Sequence, residues 1–221
     1  MSSSNSDYLP GYREEIRAHV EKHLGPIKEI LREGSDPTEI EVLHVPPQET
    51  RPVRTLVTAG MSDKAMSVPP GKQQAPRYIE LMVTLPRMWP FDAEARRDPR
   101  WRWPLDQLRS IAELPRDTGR WVGWGETFTN GNPPQPLAPT TRLCGAVIVP
   151  SLLVPEDFYE LKIAAHSIAF FSVVPLYKEE LELKEAKGVN YLFEALIDAD
   201  IKDFIDPRRR NVGKKRWWQI F

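Results

Sequence analysis

The stretch from His166 to Leu196, HSIAFFSVVPLYKEELELKEAKGVNYLFEAL, limits what this chain can fold into more than any other. Ile168 to Val174 is almost wholly apolar and rich in β-branched and aromatic residues, the composition of a buried strand. Apolar residues at successive positions need cover on both faces, so this strand belongs at the centre of a sheet. Pro175 has no N–H to give a ladder and is expected to end it. Leu176 to Lys187 follows as a helix, in which Leu176, Tyr177, Leu181 and Ala186 make one apolar side and Gly188 is the stop. Glu179, Glu180, Glu182 and Glu185, interleaved with lysines, read as its solvated face. Asn190 can cap a second helix, with Leu192, Phe193, Leu196 and Ile197 on one side.

The same reasoning covers the rest of the chain. Tyr8 to Glu33 carries a helical pattern, broken or kinked at Gly25-Pro26. Ile40 to Val45 and Val53 to Thr58 alternate like strands, and Tyr78 to Leu85 is a further strand closed by Pro86. The segment from Pro86 to Trp103 mixes Trp, Pro and Arg too irregularly for one element. Pro104 to Leu114 reads as helix, Trp121 to Phe128 as a strand bulged at its glycines, and Thr129 to Pro139 as a turn-rich loop opening on Asn130-Gly131. Leu143 to Val149 is another buried strand, and Leu152 to Ala165 a loop. The hairpin-like neighbours come early and the helices lie towards both ends. The fold class expected is therefore α+β, a mainly antiparallel or mixed sheet of about six strands flanked by helices.

Composition narrows the function. The 221 residues carry no Gly/Ser-rich linker, so one domain over residues 8–210 is expected. Residues 1–7 are expected to be disordered, and 211–221 to form a basic, Trp-containing tail. A formal charge of −1 lacks the basic excess of a dedicated nucleic-acid binder. A single cysteine, Cys144, rules out an intrachain disulfide and lies in an apolar run, as a buried small hydrophobe does. The N-terminal residues lack the apolar core of a signal peptide and no stretch approaches a membrane span, so a cytoplasmic protein is expected.

No constellation of residues points to an enzyme. His19 and His23 stand one helical turn apart, but no H-E-x-x-H accompanies them and no third ligand is indicated, so they read as surface or helix-packing residues. No G-x-S-x-G, no Cys-His arrangement and no phosphate-cradling glycine loop is present, and no metal or cofactor is expected. Glu80 lies within a strand and matters only if it is buried. The chain's seven tryptophans are the richer signal. Trp89, Trp101, Trp103, Trp121 and Trp124 crowd the loop-rich middle. Exposed together they would form a protein-binding hot spot ringed by Arg87, Arg100 and Arg102. The same Arg/Trp mixture could stack on bases, or could be arginine stems lying along core rings.

Several stretches taken in order resemble one family. They are Leu56 to Ser62 (LVTAGMS), Tyr78 to Leu81 (YIEL), Trp103-Pro104-Leu105 leading to Ile111-Ala112, Gly123 to Glu126 (GWGE) and Phe170 to Leu181 (FFSVVPLYKEEL). Together they resemble the suppressor-of-fused domain in its short bacterial form, over roughly residues 15–210. The resemblance implies an α+β fold and a protein-binding role without catalysis. Animal relatives sequester a transcription factor by holding a short peptide of it, and bacterial relatives are read as immunity proteins that neutralise toxins. An acidic residue after a glycine helps hold the animal peptide, and Glu126 matches it here, with Asn130 close by in the following loop. The aromatic residue some dozen positions earlier in those relatives is Leu114 in this chain, so the same ligand is not implied. The expected partner is another protein, with nucleic acid and membrane disfavoured. A nucleic-acid or transcription-factor regulator and an unrecognised enzyme remain the alternative readings.

Overall fold

The computed structural model describes residues 11–34, 36 and 38–214. The expected disorder of residues 1–7 and the Trp217-Trp218 end of the tail lie outside the described residues. Eight strands form one sheet: β1 (Glu29–Leu31), β2 (Glu41–Val45), β3 (Val53–Ala59), β4 (Ile79–Pro86), β5 (Thr127–Thr129), β6 (Gly145–Val149), β7 (Glu160–Lys162) and β8 (Ser167–Leu176). Their order is β1-β2-β3-β4-β8-β6-β5, with β7 also pairing β8. Every pairing is antiparallel except β4 with β8, so the sheet is mixed. Four helices cover it: α1 (Arg13–Leu24), α2 (Pro99–Thr118), α3 (Lys178–Lys187) and α4 (Val189–Asp198).

Strand alternation sorts the sheet's side chains into two faces. Val42, Leu56, Ile79, Leu81, Val83, Ala146, Ile148 and Val173 point to one face, where Trp103, Leu108, Ile111 and Ala112 of α2 meet them. Leu43, Val57, Met82, Ile168 and Phe170 point to the other, against Ile16, Val20 and Leu24 of α1. On that same face Val147, Val149, Val174 and Leu176 meet Leu181, Leu192 and Leu196 of α3 and α4. Each fully buried Leu, Ile or Val contributes roughly 1.5–3 kcal/mol to this three-layer arrangement. β8 is central, as its composition requires: β4 lies on one side, and β7 and β6 share the other end to end.

The structure corrects several local expectations. Pro175 lies inside β8, paired in register with Ala146. Its carbonyl accepts from Arg209 Nη2 at 2.7 Å, away from β6. The backbone N and C=O of one strand residue point the same way, so the missing N–H faces a side where, among the described residues, no strand pairs with it. The helical pattern beyond Pro26 is overridden by pairing with β2, which makes residues 29–31 a strand. The helix expected from Pro104 begins five residues earlier, at Pro99, because Asp98 caps it by accepting from Arg100 N at 2.8 Å and Pro99 suits a first turn. Of the strand expected over Trp121–Phe128 only its end pairs, as β5, and the Leu152–Ala165 loop contains β7. Asn190 does not cap α4; Gly188 occupies that position.

The largest correction concerns Glu180, expected on a solvated face and fully buried instead. Residues beyond α4 turn back over the sheet. Ile205 N donates to Thr84 O at 2.7 Å, on the side of β4 that β8 leaves free beyond Met82. Arg209 then meets both Glu180 oxygens, at 2.7 and 2.6 Å, while Tyr177 N and Val212 N donate to the same carboxylate at 3.0 Å. Gly213 makes this close approach possible, since a Cβ there would stand 2.3 Å from the Glu179 backbone.

Glu80, the second residue of β4, is also fully buried. Its Oε1 accepts from Gly60 N, Ser62 N and Ser62 Oγ at 3.0, 3.0 and 2.6 Å. Its Oε2 lies 2.5 Å from Thr58 Oγ1, which itself accepts from Leu81 N at 2.8 Å and faces Leu81 O at 3.3 Å. Burial raises the carboxyl's pKa, against the pull of these hydrogen bonds. A proton on Oε2 fits the geometry: it goes to Thr58 Oγ1, whose own hydrogen turns to Leu81 O. Gly60, at φ +115°, gives the turn a conformation that a side chain resists, and a Cβ would meet Arg13 at 2.7 Å.

Glu80→Ala orphans two backbone N–H groups and should cost about 3–5 kcal/mol in urea denaturation. Glu80→Gln keeps the acceptor and the donor to Thr58, and should match the parent below pH 4.5. A raised folded pKa gives stability that is present below the unfolded value and lost as pH rises through the folded one. Glu80→Gln should therefore gain on the parent as pH is raised above the ordinary carboxyl range; parallel curves would contradict a raised Glu80 pKa. Arg209→Ala should destabilise by about 3–5 kcal/mol, because it leaves Glu180 buried without its cation.

Candidate functional site

The sheet ends at β5, and the open edge there is where the sequence-derived candidates come nearest to one another. Ile148 N donates to Glu126 O at 3.0 Å and Asn130 N donates to Cys144 O at 2.8 Å. Antiparallel alternation then turns the backbone groups of Thr127 and Thr129 outward. Among the described residues no strand pairs beyond them. Phe128 points to the α2 face and is buried there. Between α2 and β5 runs a groove of about 380 Å³. Its apolar walls are Trp103, Ile111, Leu114, Phe128 and Leu137, and Gln107, Ser110, Thr129 and Asn130 add polar groups. Trp103 Nε1 and Gln107 Oε1 are buried in its wall with no partner among the described residues.

The charges around this edge are unevenly satisfied. Glu126 pairs with Lys72 at 2.8 Å, and the same ammonium stands 4.5 Å from the centre of the Trp121 ring. Asp106 accepts from Arg102 through two oxygens, at 2.8 and 2.9 Å. Arg120 has no carboxylate within ion-pair distance among the described residues. Its Nη2 donates to the outward Thr127 O at 2.9 Å and its guanidinium lies 4.3 Å over the Phe128 ring. On the opposite face Lys184 Nζ reaches Thr127 Oγ1 at 3.4 Å.

The five tryptophans do not form one exposed patch. Trp89, Trp103 and Trp121 are 6, 3 and 4% exposed. Trp89 packs edge-on against Trp101 and Trp103, with centroids 5.5 and 6.0 Å away, and donates to Trp101 O at 3.1 Å. Trp121 donates to Pro76 O at 3.2 Å. Trp101 and Trp124 are half-buried, and Trp124 stands edge-on to Phe193 of α4, on the far face of the sheet from the Trp89 group. Large rings carry more apolar surface than a loop can leave in water, and the α2 core takes three of them. Of the seven candidates, Trp103 and Asn130 line the groove, and Glu126 directly precedes β5. Asn130 braces the loop by donating to Gln135 O and Pro136 O, both at 2.9 Å.

The other polar candidates have structural roles. Arg96 pairs with Glu29, Arg100 with Asp98 and Arg102 with Asp106, so much of the Arg/Trp segment is neutralised within the chain. His19 stacks on Phe158 and Phe170 and bonds Phe158 O at 3.1 Å; burial lowers its pKa. His44 is buried beside Arg54, and burial followed by that positive charge takes its pKa down to about 4. Among the described residues no group of three or more His, Cys, Asp or Glu could hold a metal ion, and no helix is long and apolar enough to cross a membrane. Sequence reasoning missed Arg120 and Lys72. Neither belongs to a recognisable motif, and only folding brings them to β5.

A mixed sheet with α2 on one face and α1, α3 and α4 on the other, ending in an open edge beside a groove, defines an α+β module of the suppressor-of-fused type. The family model of suppressor of fused protein matches residues 36–210, and the chain belongs to that family. A suppressor-of-fused homolog from Neisseria gonorrhoeae has a similar fold, with a TM-score of 0.65 at 14% identity over 93% of this chain and 98% of that one. The protein of the Sufu–Fu complex crystal structure gives 0.63 at 16% identity over 92% and 93%. Drosophila Suppressor of Fused gives 0.58 at 14% identity, with 93% of this chain spanning 51% of that one. Among curated proteins none matches this sequence.

Burial separates the tryptophans experimentally. Trp89→Ala and Trp103→Ala should each cost about 3–5 kcal/mol in urea denaturation, and Trp124→Ala clearly less. Equal losses at all three would contradict the burial pattern.

Proposed function

We propose that this chain is a non-catalytic protein-binding module that holds an extended segment of another protein along the β5 edge and blocks that protein's action. The observation that carries this reading is the pair of outward-facing residues Thr127 and Thr129 beside a groove of about 380 Å³. An unpaired strand edge offers main-chain hydrogen bonds for affinity, and an adjacent groove takes alternate side chains. The Sufu–Fu complex supports a protein partner, since there a protein of the same fold is bound to another. The concrete form we favour is a bacterial, cytoplasmic immunity protein that occludes a toxin domain by stoichiometric binding.

Thr129→Pro tests the site. It removes an outward N–H without touching a bond to β6, so folding should be retained while strand addition is blocked. A tagged parent protein used as bait in its host should retain a protein in near-equal amount, identified by mass spectrometry, and the Thr129→Pro bait should lose it at unchanged Tm. Retention of the same partner by the proline variant would remove β5 from the reading, and a retained protein without a toxin-like domain would remove the immunity role.

A further inference from the structure

The chemistry around β5 also specifies what kind of segment it takes. We infer that the β5 edge selects an extended segment carrying an acidic side chain, and that Arg120 recognises it by leaving the Thr127 carbonyl for the incoming carboxylate. The inference rests on the reading of β5 as a strand-addition edge.

Each negative group at the site already has its cation: Glu126 has Lys72 and Asp106 has Arg102. Among the described residues the two cations that touch Thr127 have no such partner. Arg120 spends one N–H on a neutral carbonyl at 2.9 Å and lies over an aromatic ring, and Lys184 reaches only a hydroxyl at 3.4 Å. The uncompensated charge at the edge is therefore positive, and its complement is an anion.

The position of Arg120 links this charge to pairing. Thr127 O is one of the outward carbonyls that an added strand must use, and Arg120 Nη2 occupies it. The added strand supplies an N–H to that carbonyl and so frees the guanidinium. Its planar fork then finds a better acceptor in a carboxylate two-pronged to it, a charge-assisted contact stronger than the one it gives up. An apolar or basic segment would displace Arg120 and leave it unpaired over Phe128, which disfavours such a partner. In the unbound protein the same contact blunts an exposed edge against pairing with other chains.

Three capped hexapeptides test this, alternating valine with glutamate, with glutamine or with lysine, titrated into the 15N-labelled full chain. The glutamate peptide should shift the amide signals of Thr127 and Thr129 saturably and bind about tenfold tighter than the glutamine peptide, with the lysine peptide weakest. That preference should disappear in Arg120→Gln and shrink as salt is raised. Equal binding of the glutamate and glutamine peptides at these amides would overturn the acidic preference and leave the strand-addition edge standing. Glutamate selectivity that persists in Arg120→Gln would overturn the role of Arg120. No saturable shift at Thr127 and Thr129 with millimolar glutamate peptide would overturn the inference, while the Thr129→Pro capture experiment decides separately whether the edge binds protein.

Discussion

The buried carboxyl of Glu80 is the constraint around which the first half of the molecule is arranged. It sits on β4, an inner strand of the sheet, and the turn after β3 closes over it with donors from Gly60 and Ser62, while Thr58 Oγ1 bonds its other oxygen. A carboxyl at that depth is tolerable only with both oxygens hydrogen-bonded, so the turn from Gly60 to Ser62 has little freedom to move. Arg13 of α1 lies against Gly60 and reaches Asp63 at 3.1 Å and Glu41 at 3.5 Å, which carries the ordering outward to α1 and β2. The conformation of a turn thus fixes how a helix crosses the sheet.

Glu180 does the equivalent work for the second half. Here the neighbour is a cation from far along the chain, and the buried Arg209 ties residues beyond α4 to the first turn of α3. β4 and β8 separate beyond Met82 and Ser172, and the returning segment fills the gap through Thr84 and Pro175. Both devices hold β4 and β8 in place, and β6 and β5 build outward from β8. The edge strand that we assign to partner binding is therefore short and open, but it stands on rigid support.

Much of the fold was legible in the chain. β2, β3, β4, β6 and β8 follow from apolar alternation or apolar runs, and the helices before Gly25 and Gly188 end where the sequence reading placed their breaks. The failures have physical reasons. Ile27 to Leu31 has a helical pattern too short to resist pairing with β2, and Pro175 is harmless in β8 because no neighbour needs its N–H. For the tryptophans, clustering in sequence does not decide exposure, and α2 buries Trp89 and Trp103 while Trp124 goes to the opposite face. The ordered motifs around GWGE were enough to place the chain in its family, yet they named only Glu126 at the edge.

By itself the sequence determined the sheet's central strand, the α+β class, a buried Cys144 and the turn chemistry, because these depend on local composition and on the period of apolar residues. Tertiary structure alone decided that Glu180 is buried, that Glu126 is already paired with Lys72 and that Arg120 at β5 donates to the Thr127 carbonyl. Those outcomes depend on contacts between residues seven to 54 positions apart. Charge pairing across such separations follows from where the chain returns in space, and no local pattern encodes it.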